Sequence, residues 1–213
     1  MFRDKKRFGQ NPEEIKRSTQ ATFNKPLSLN DPAKIFTCSW ADFFVEEADP
    51  WRPEAWEIIR KTPHLTYQIL TKRPDRVRNC LPDFWDELKN VWLGVTVEKQ
   101  KHLDRIAPIA QVKPTVLFIS VEPMLEAISI LHGVQGILNN DIINSAHRVI
   151  DWVICGGESG PGYREMETWW AANLKNQCEL SRIPFFMKQI SGVTKKQCAQ
   201  IPEDLMERAY PRI

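Results

Sequence analysis

Short runs rich in β-branched and aromatic residues recur along the chain at a nearly even spacing, and this rhythm constrains the fold more than any other feature. The runs are Lys34–Cys38, Leu65–Leu70, Val91–Val95, Thr115–Ile119, Asp151–Cys155 and Pro184–Met187. Their starts lie 31, 26, 24, 36 and 33 residues apart. Several are continuously apolar, which is how strands covered on both faces of a parallel sheet read. Helical patterns fill the intervals. Pro53–Lys61 places Ala55, Trp56, Ile58 and Ile59 on one side, Lys99–Ala110 spaces Leu103, Ile106, Ala107 and Ala110, and Thr168–Leu180 carries Trp169, Ala172, Leu174 and Cys178. Residues 76–89 are a weaker helical stretch, broken by Pro82. Strand–helix alternation at this period is the βαβ signature. Six such strands predict an α/β fold, a parallel (βα) partial TIM-type barrel.

The 213 residues suit one domain over 1–213, with a basic N-terminal segment (1–33) and a C-terminal tail (190–213) expected to pack on the surface. The stretch Met124–Ile150 is longer than a crossover helix needs, and its Gly133, Gly136, Asn139 and Asn140 predict an irregular insertion with one short helix. With 42% hydrophobic and 26% charged residues, the composition excludes a disordered chain. No apolar run approaches the roughly 20 residues of a membrane span. The opening MFRDKKRFGQ has no apolar stretch behind it, so a cytoplasmic protein is expected. The cysteines, at 38, 80, 155, 178 and 198, are odd in number and lack any C-x-x-C pair. That spacing argues against a disulfide framework and a zinc ribbon, and no metal ligands are assigned.

Polar residues gather just after each apolar run. Cys38, Ser39, Trp40 and Asp42 follow the first, Thr71, Lys72 and Arg73 the second, and Thr96 and Glu98 the third. Ser120, Glu122 and Pro123 follow the fourth, Gly156, Gly157, Glu158 and Ser159 the fifth, and Lys188 and Gln189 the sixth. In a parallel barrel these strand ends share one face, where such folds place their chemistry. Glu98, Glu122 and Glu158 are the candidate catalytic carboxylates; Thr71, Lys72, Arg73, Ser120, Gly156, Gly157 and Lys188 are the candidate ligand-binding residues. Lysine and arginine there can grip a carboxylate or phosphate, and a glutamate can hold an amine or ribose hydroxyls. Read singly, each has a plainer role, and Glu98 in particular also suits the first turn of the following helix. The stretch Gly156-Gly157-Glu158-Ser159-Gly160 is neither a Walker loop nor a nucleophile elbow. Its glycines allow a tight turn close to a ligand, and their amides are candidate anion donors.

In chain order, IFTCSWADFF, QILTKRPDRV, VWLGVTVE, FISVEPML, DWVICGGESGP and PFFMKQ resemble the phage-associated gp thirty-seven/sixty-eight family, a domain of unknown function. The resemblance covers roughly residues 1–190. It implies a radical-S-adenosylmethionine-like partial barrel. Full-length relatives would bind S-adenosylmethionine at a 4Fe–4S cluster held by three thiolates of an N-terminal W-N-P-x-x-G-C…G-C-x-x-C-Y segment. Met1 aligns directly after that segment, so this chain is expected to lack the family's first strand and to hold no cluster of its own.

Two other readings stand beside this one. A non-radical lyase or hydrolase would use Glu98, Glu122 or Glu158 as general base, which a strongly raised glutamate pKa would support. A nucleic-acid-binding accessory protein would use Lys5, Lys6, Arg7, Lys16 and Arg17 of the basic segment, with steep salt dependence. A small-molecule ligand is the expected partner in the first two. The net charge of +2 favours none of the three, and the oligomeric state is open.

Overall fold

All six apolar runs form strands, and they pair in the order in which they occur. The computed structural model describes residues 15–39, 41–130 and 149–212. Its strands are β1 (Ala33–Thr37), β2 (Leu65–Thr71), β3 (Val91–Thr96), β4 (Val116–Val121), β5 (Trp152–Gly156) and β6 (Phe185–Gln189). Every neighbouring pair is parallel, in the unbroken order β1 to β6. An order that never reverses winds every crossover the same way, so the sheet curls into a half-barrel with its helices outside. The helices are α1 (Gln20–Phe23), α2 (Arg52–Lys61), α3 (Pro74–Val77), α4 (Ile106–Gln111), α5 (Thr168–Leu180) and α6 (Lys195–Cys198). None of the helices among the described residues is long and apolar enough to cross a membrane.

Strand side chains alternate between the two faces. The odd-numbered set, including Tyr67, Ile69, Leu93, Val95, Ile119, Val153 and Phe185, joins Trp56, Ile59, Ile106, Ile109 and Leu174 in the main core. The even-numbered set lines the concave face in rows fixed by the register. Phe36, Gln68, Trp92 and Val116 form one row, and Leu70, Gly94, Phe118 and Trp152 the next. Above them lie Thr96, Ser120, Ile154 and Phe186. Trp92, Val116, Phe118 and Trp152 form a separate buried cluster there. Layered filling of this kind makes a barrel interior a packed core instead of a pore. Gly94 is part of the packing, since a Cβ on it would stand 2.5 Å from the Phe118 ring.

The crossovers follow local chemistry. Helix α2 has Pro53 in its first turn, a favoured place for proline. It ends at a turn held by Asn90, whose Nδ2 donates to the carbonyls of Ile59, Thr62 and Leu65. The expected helix over Lys99–Ala110 divides into a 3-10 stretch (Gln100–Arg105) followed by α4. The weak pattern over 76–89 resolves into α3 and the short 3-10 turns Arg78–Cys80 and Trp85–Glu87, on either side of Pro82. Most of the expected insertion, including Gly133, Gly136, Asn139 and Asn140, lies outside the described residues.

The tail has a definite path. It buries Cys198, Ile201 and Leu205 against the body and continues along the outer edge of β6. Met187 N donates to Glu207 O at 2.7 Å and Ala209 N to Phe185 O at 2.9 Å, around an antiparallel bridge between Phe186 and Arg208. The physical reason is the edge itself, whose unpaired amides and carbonyls need partners. From there Ala209 O accepts a 2.9 Å bond from Trp152 Nε1, and Tyr210 packs against Trp152 and Phe186. Lys34 of β1 lies 4.6 Å from the Tyr210 ring, so the tail reaches across the concave face from β6 to β1.

Candidate functional site

The C-terminal ends of the strands carry four linked clusters of charge. At the end of β2, Lys72 Nζ pairs with a carboxylate oxygen of Glu98, which follows β3. Arg105 reaches back from the 3-10 stretch, with Nη1 2.8 Å from Glu98 Oε2 and 2.6 Å from the carbonyl of Thr96. His102 Nδ1 lies 3.0 Å from Glu98 Oε2 but out of hydrogen-bond alignment, and has no other partner among the described residues. Three basic side chains thus converge on one nearly buried carboxylate. Burial raises the Glu98 pKa. The Lys72 hydrogen bond, a backbone amide and the charges of Lys72 and Arg105 outweigh burial and hold it below the ordinary value.

Across the concave face, Lys188 Nζ of β6 lies 2.9 Å from Glu122 Oε2, beyond β4. The Glu122 side chain lies over Gly156, where a Cβ would stand 3.2 Å from Glu122 Cδ. Beneath these pairs sit the side chains of Thr96 and Ser120, register neighbours 3% and 2% exposed. The third cluster is Glu158 with Arg164. The carboxylate accepts from Arg164 N and Nε at 2.8 Å each and from Nη2 at 3.0 Å. This arm follows β5, on the same edge of the sheet as the other two clusters.

The fourth cluster is turned away from the concave face. Thr71 is an odd-numbered β2 residue, and its hydroxyl donates to Asp42 at 2.8 Å. Asp42 also accepts from the amides of Phe44 and Lys72 and from Arg73 Nη1 at 3.2 Å. Thr71 and Arg73 therefore fasten the loop after β1 to the end of β2. Gly157 has a similar structural role. Its amide donates to Gln189 O at 3.0 Å, and a Cβ on it would stand 2.2 Å from Ser191 N. Of the residues singled out from the sequence, Lys72, Glu98, Ser120, Glu122, Gly156, Glu158 and Lys188 gather at the mouth. Thr71, Arg73 and Gly157 support it.

Residues 2–211 match the profile of a family described as protein of unknown function (DUF5131). The chain belongs to DUF5131. No curated protein and no solved structure matches it. Among the described residues of this DUF5131 chain, no three Cys, His, Asp or Glu side chains are grouped so as to hold a metal ion. Burial pushes the Cys155 thiol up strongly and the Cys178 thiol up to about 12, and Cys38 and Cys80 stand on separate elements from both. Cluster ligands are thiolates, so an iron–sulfur cluster does not fit this donor set and no step below runs through one.

Arg105, His102 and Arg164 were missed in the sequence. A signal existed for the first two, since residues four and seven positions after Glu98 lie on its side of a helical stretch. Arg164 comes from a loop with no periodicity, and nothing local marks it.

The Glu98 cluster makes stability depend on pH. Its folded pKa lies below the unfolded value of about 4.3, so the ionised form stabilises the fold. That contribution is complete above the unfolded value and is lost as pH falls through the lower, folded one. Glu98→Gln is expected to cost about 1–3 kcal/mol at pH 7, the better-buried Arg105 mattering more than the half-exposed Lys72. Urea unfolding of both proteins as pH is lowered from about 5 should show the difference shrinking. A constant difference would show that Glu98 is not held as an ion.

Proposed function

We propose that the mouth binds S-adenosylmethionine, and that this chain is a phage-associated, radical-S-adenosylmethionine-like protein whose own residues hold and orient that ligand. One observation carries the reading: two lysine–glutamate pairs, Lys72–Glu98 and Lys188–Glu122, stand on either side of the buried Thr96 and Ser120 hydroxyls. A zwitterion with an attached ribose needs that combination. Lys72 and Lys188 would take the carboxylate, Glu98 or Glu122 the ammonium group, and the hydroxyls and remaining carboxylate the ribose. The half-barrel and the ordered motifs support the same reading.

When bound, S-adenosylmethionine supplies an electrophilic sulfonium. The residues here supply only binding, orientation and a charged rim around a packed apolar floor. Glu98 supports this over the general-base reading, because a carboxylate held below its ordinary pKa is a weak base near neutrality. For the nucleic-acid reading, Lys5, Lys6 and Arg7 lie outside the described residues, and Arg17 commits its guanidinium to Gln20 and Glu54.

Equilibrium dialysis against S-adenosylmethionine and S-adenosylhomocysteine tests the proposal. Saturable, one-to-one binding is expected, weakened about tenfold by Lys188→Gln or Glu98→Gln, as loss of one charge-assisted hydrogen bond implies. No saturation by about 1 mM, or equal binding by the variants, would sink it.

A further inference from the structure

We propose that the outer edge of β1 pairs with the same edge of a second copy of this chain, antiparallel about a two-fold axis, so that two six-stranded sheets join into one. This contact is independent of what the mouth binds.

The two edges of the sheet differ. The edge of β6 is sealed by residues 207–209 of the tail. β1 pairs with β2 and with no other strand among the described residues. Which of its main-chain groups are free follows from the ladder. Tyr67 N donates to Asn90 O, so the odd-numbered residues of β2 turn their main-chain groups toward β3 and the even-numbered ones turn theirs toward β1. In a parallel pair, such a residue bonds to the two residues that flank its register partner. Gln68 stands opposite Phe36, so its bonds go to Ile35 and Thr37. The N–H and C=O groups of Lys34 and Phe36 therefore point outward, and none of them has a partner among the described residues.

Of the usual edge protections, β1 has only a charge. It contains no proline, and its register with β2 runs without a bulge. The charge, Lys34, is directed to the Tyr210 ring, 4.6 Å away across the concave face. Phe36 is 46% exposed. A cavity of about 460 Å³ beside α2 has Ile35 and Phe36, from opposite faces of β1, in its wall. It thus opens round this edge, and there is room for another strand.

The edge is complementary to itself. Antiparallel pairing centred on Ile35 sets Lys34 opposite Phe36 of the second copy, and Phe36 opposite Lys34 of that copy. Both are outward-facing residues, so each pair exchanges both of its N–H···O bonds. On the concave face a lysine then meets an aromatic ring on either side of the axis, and no like charges stand directly opposite. On the other face Ile35 meets its own copy. The two-fold contact uses up both β1 edges, and the sealed β6 edges offer no continuation, so assembly closes at two copies. Strands of five residues make a small contact, so the dimer is weak and forms with rising concentration.

Sedimentation equilibrium of the full chain from about 5 to about 500 µM should show the mean mass rising from 24.8 kDa toward twice that value. Amide exchange supplies the signature. Protection of the Lys34 and Phe36 amides should rise with concentration, while that of Ile35 and Thr37, bonded to β2, stays constant. Phe36→Pro removes an outward-facing N–H and none that β2 uses. It should weaken association at least about tenfold with an unchanged far-UV spectrum. Phe36→Tyr, which keeps the ring and the N–H, should associate like the parent. A monomer throughout, or a dimer that Phe36→Pro leaves intact, would overturn the proposal. So would growth beyond two copies. Protection of the Lys34 and Phe36 amides at the lowest concentration would overturn it as well, since the chain itself would then cover the edge.

Discussion

Gly157→Ala is expected to lower the melting temperature by about 6–12 °C, corresponding to about 3 kcal/mol for a chain of this length. The added methyl would stand 2.2 Å from Ser191 N and 2.6 Å from Ile190 C, both main-chain atoms. Neither side can yield cheaply. Gly157 N is bonded to Gln189 O, and Gly192 N to Glu158 O. Ser191 Oγ accepts from Met166 N at 2.9 Å and donates to Arg164 O at 3.1 Å. Separating the two chains would also displace Glu158 and Arg164, so ligand binding at the mouth should weaken together with stability. Gly160→Ala is the comparison. Gly160 has φ +103° and open space around its Cα, so alanine there meets strain but no clash and should cost about 1–2 kcal/mol. Thermal unfolding of both variants decides the matter. A Gly157→Ala protein melting within about 2 °C of the parent would mean that the β5 and β6 extensions are less closely joined than described.

The second large effect concerns the concave floor. Phe118 is fully buried between Gly94 and Trp152, its ring 5.6 Å from that of Trp152. Phe118→Ala is expected to cost about 3–5 kcal/mol. Gly94→Ala should cost about 1–3 kcal/mol through overpacking, because its Cβ would overlap the same ring. The two losses should not add. With the ring gone, the alanine methyl enters vacated space, and the double variant should be more stable than the sum of the singles implies, by about 1 kcal/mol or more. A double-mutant cycle in urea measures this coupling. Strict additivity would show that Phe118 does not lie over Gly94.

The strands were legible because burial on both faces writes a continuous apolar run, and five residues such as VWLGV cannot be mistaken for a solvated turn. Parallel order was legible from the spacing, since each interval is long enough for a crossover and too long for a hairpin. The location of the site followed from the fold, because polar residues after each run can lie only at one end of a parallel sheet. The pairings within the site were not legible. That Lys72 meets Glu98, Lys188 meets Glu122 and Arg73 meets Asp42 depends on register and curvature, which no residue encodes by itself. Alternation could have shown that Thr71 and Lys72 face opposite sides of β2, but the exposed end of a strand gives that pattern no apolar partner to anchor it. The glycine pair illustrates the opposite difficulty. Glycine is required at 157 by a chain 34 residues further on, so its role is invisible locally. The path of the tail is illegible for a related reason. Ile201 and Leu205 stand among prolines and charged residues without helical or strand period, and only the free edge of β6 explains where they go.

The strictly sequential strand order bears on how the chain reaches its fold. Each new strand docks on the one made just before it, so the sheet can grow in the direction of synthesis without waiting for distant partners. Loop-closure entropy then stays modest at every step. The exception is the seal on β6. Glu207 and Ala209 can bond to Met187 and Phe185 only after about 20 further residues have followed β6. Until then, β6 presents an open template to any neighbouring nascent chain. The edge of β6 is therefore open to pairing with another chain whenever residues 207–209 are not seated on it.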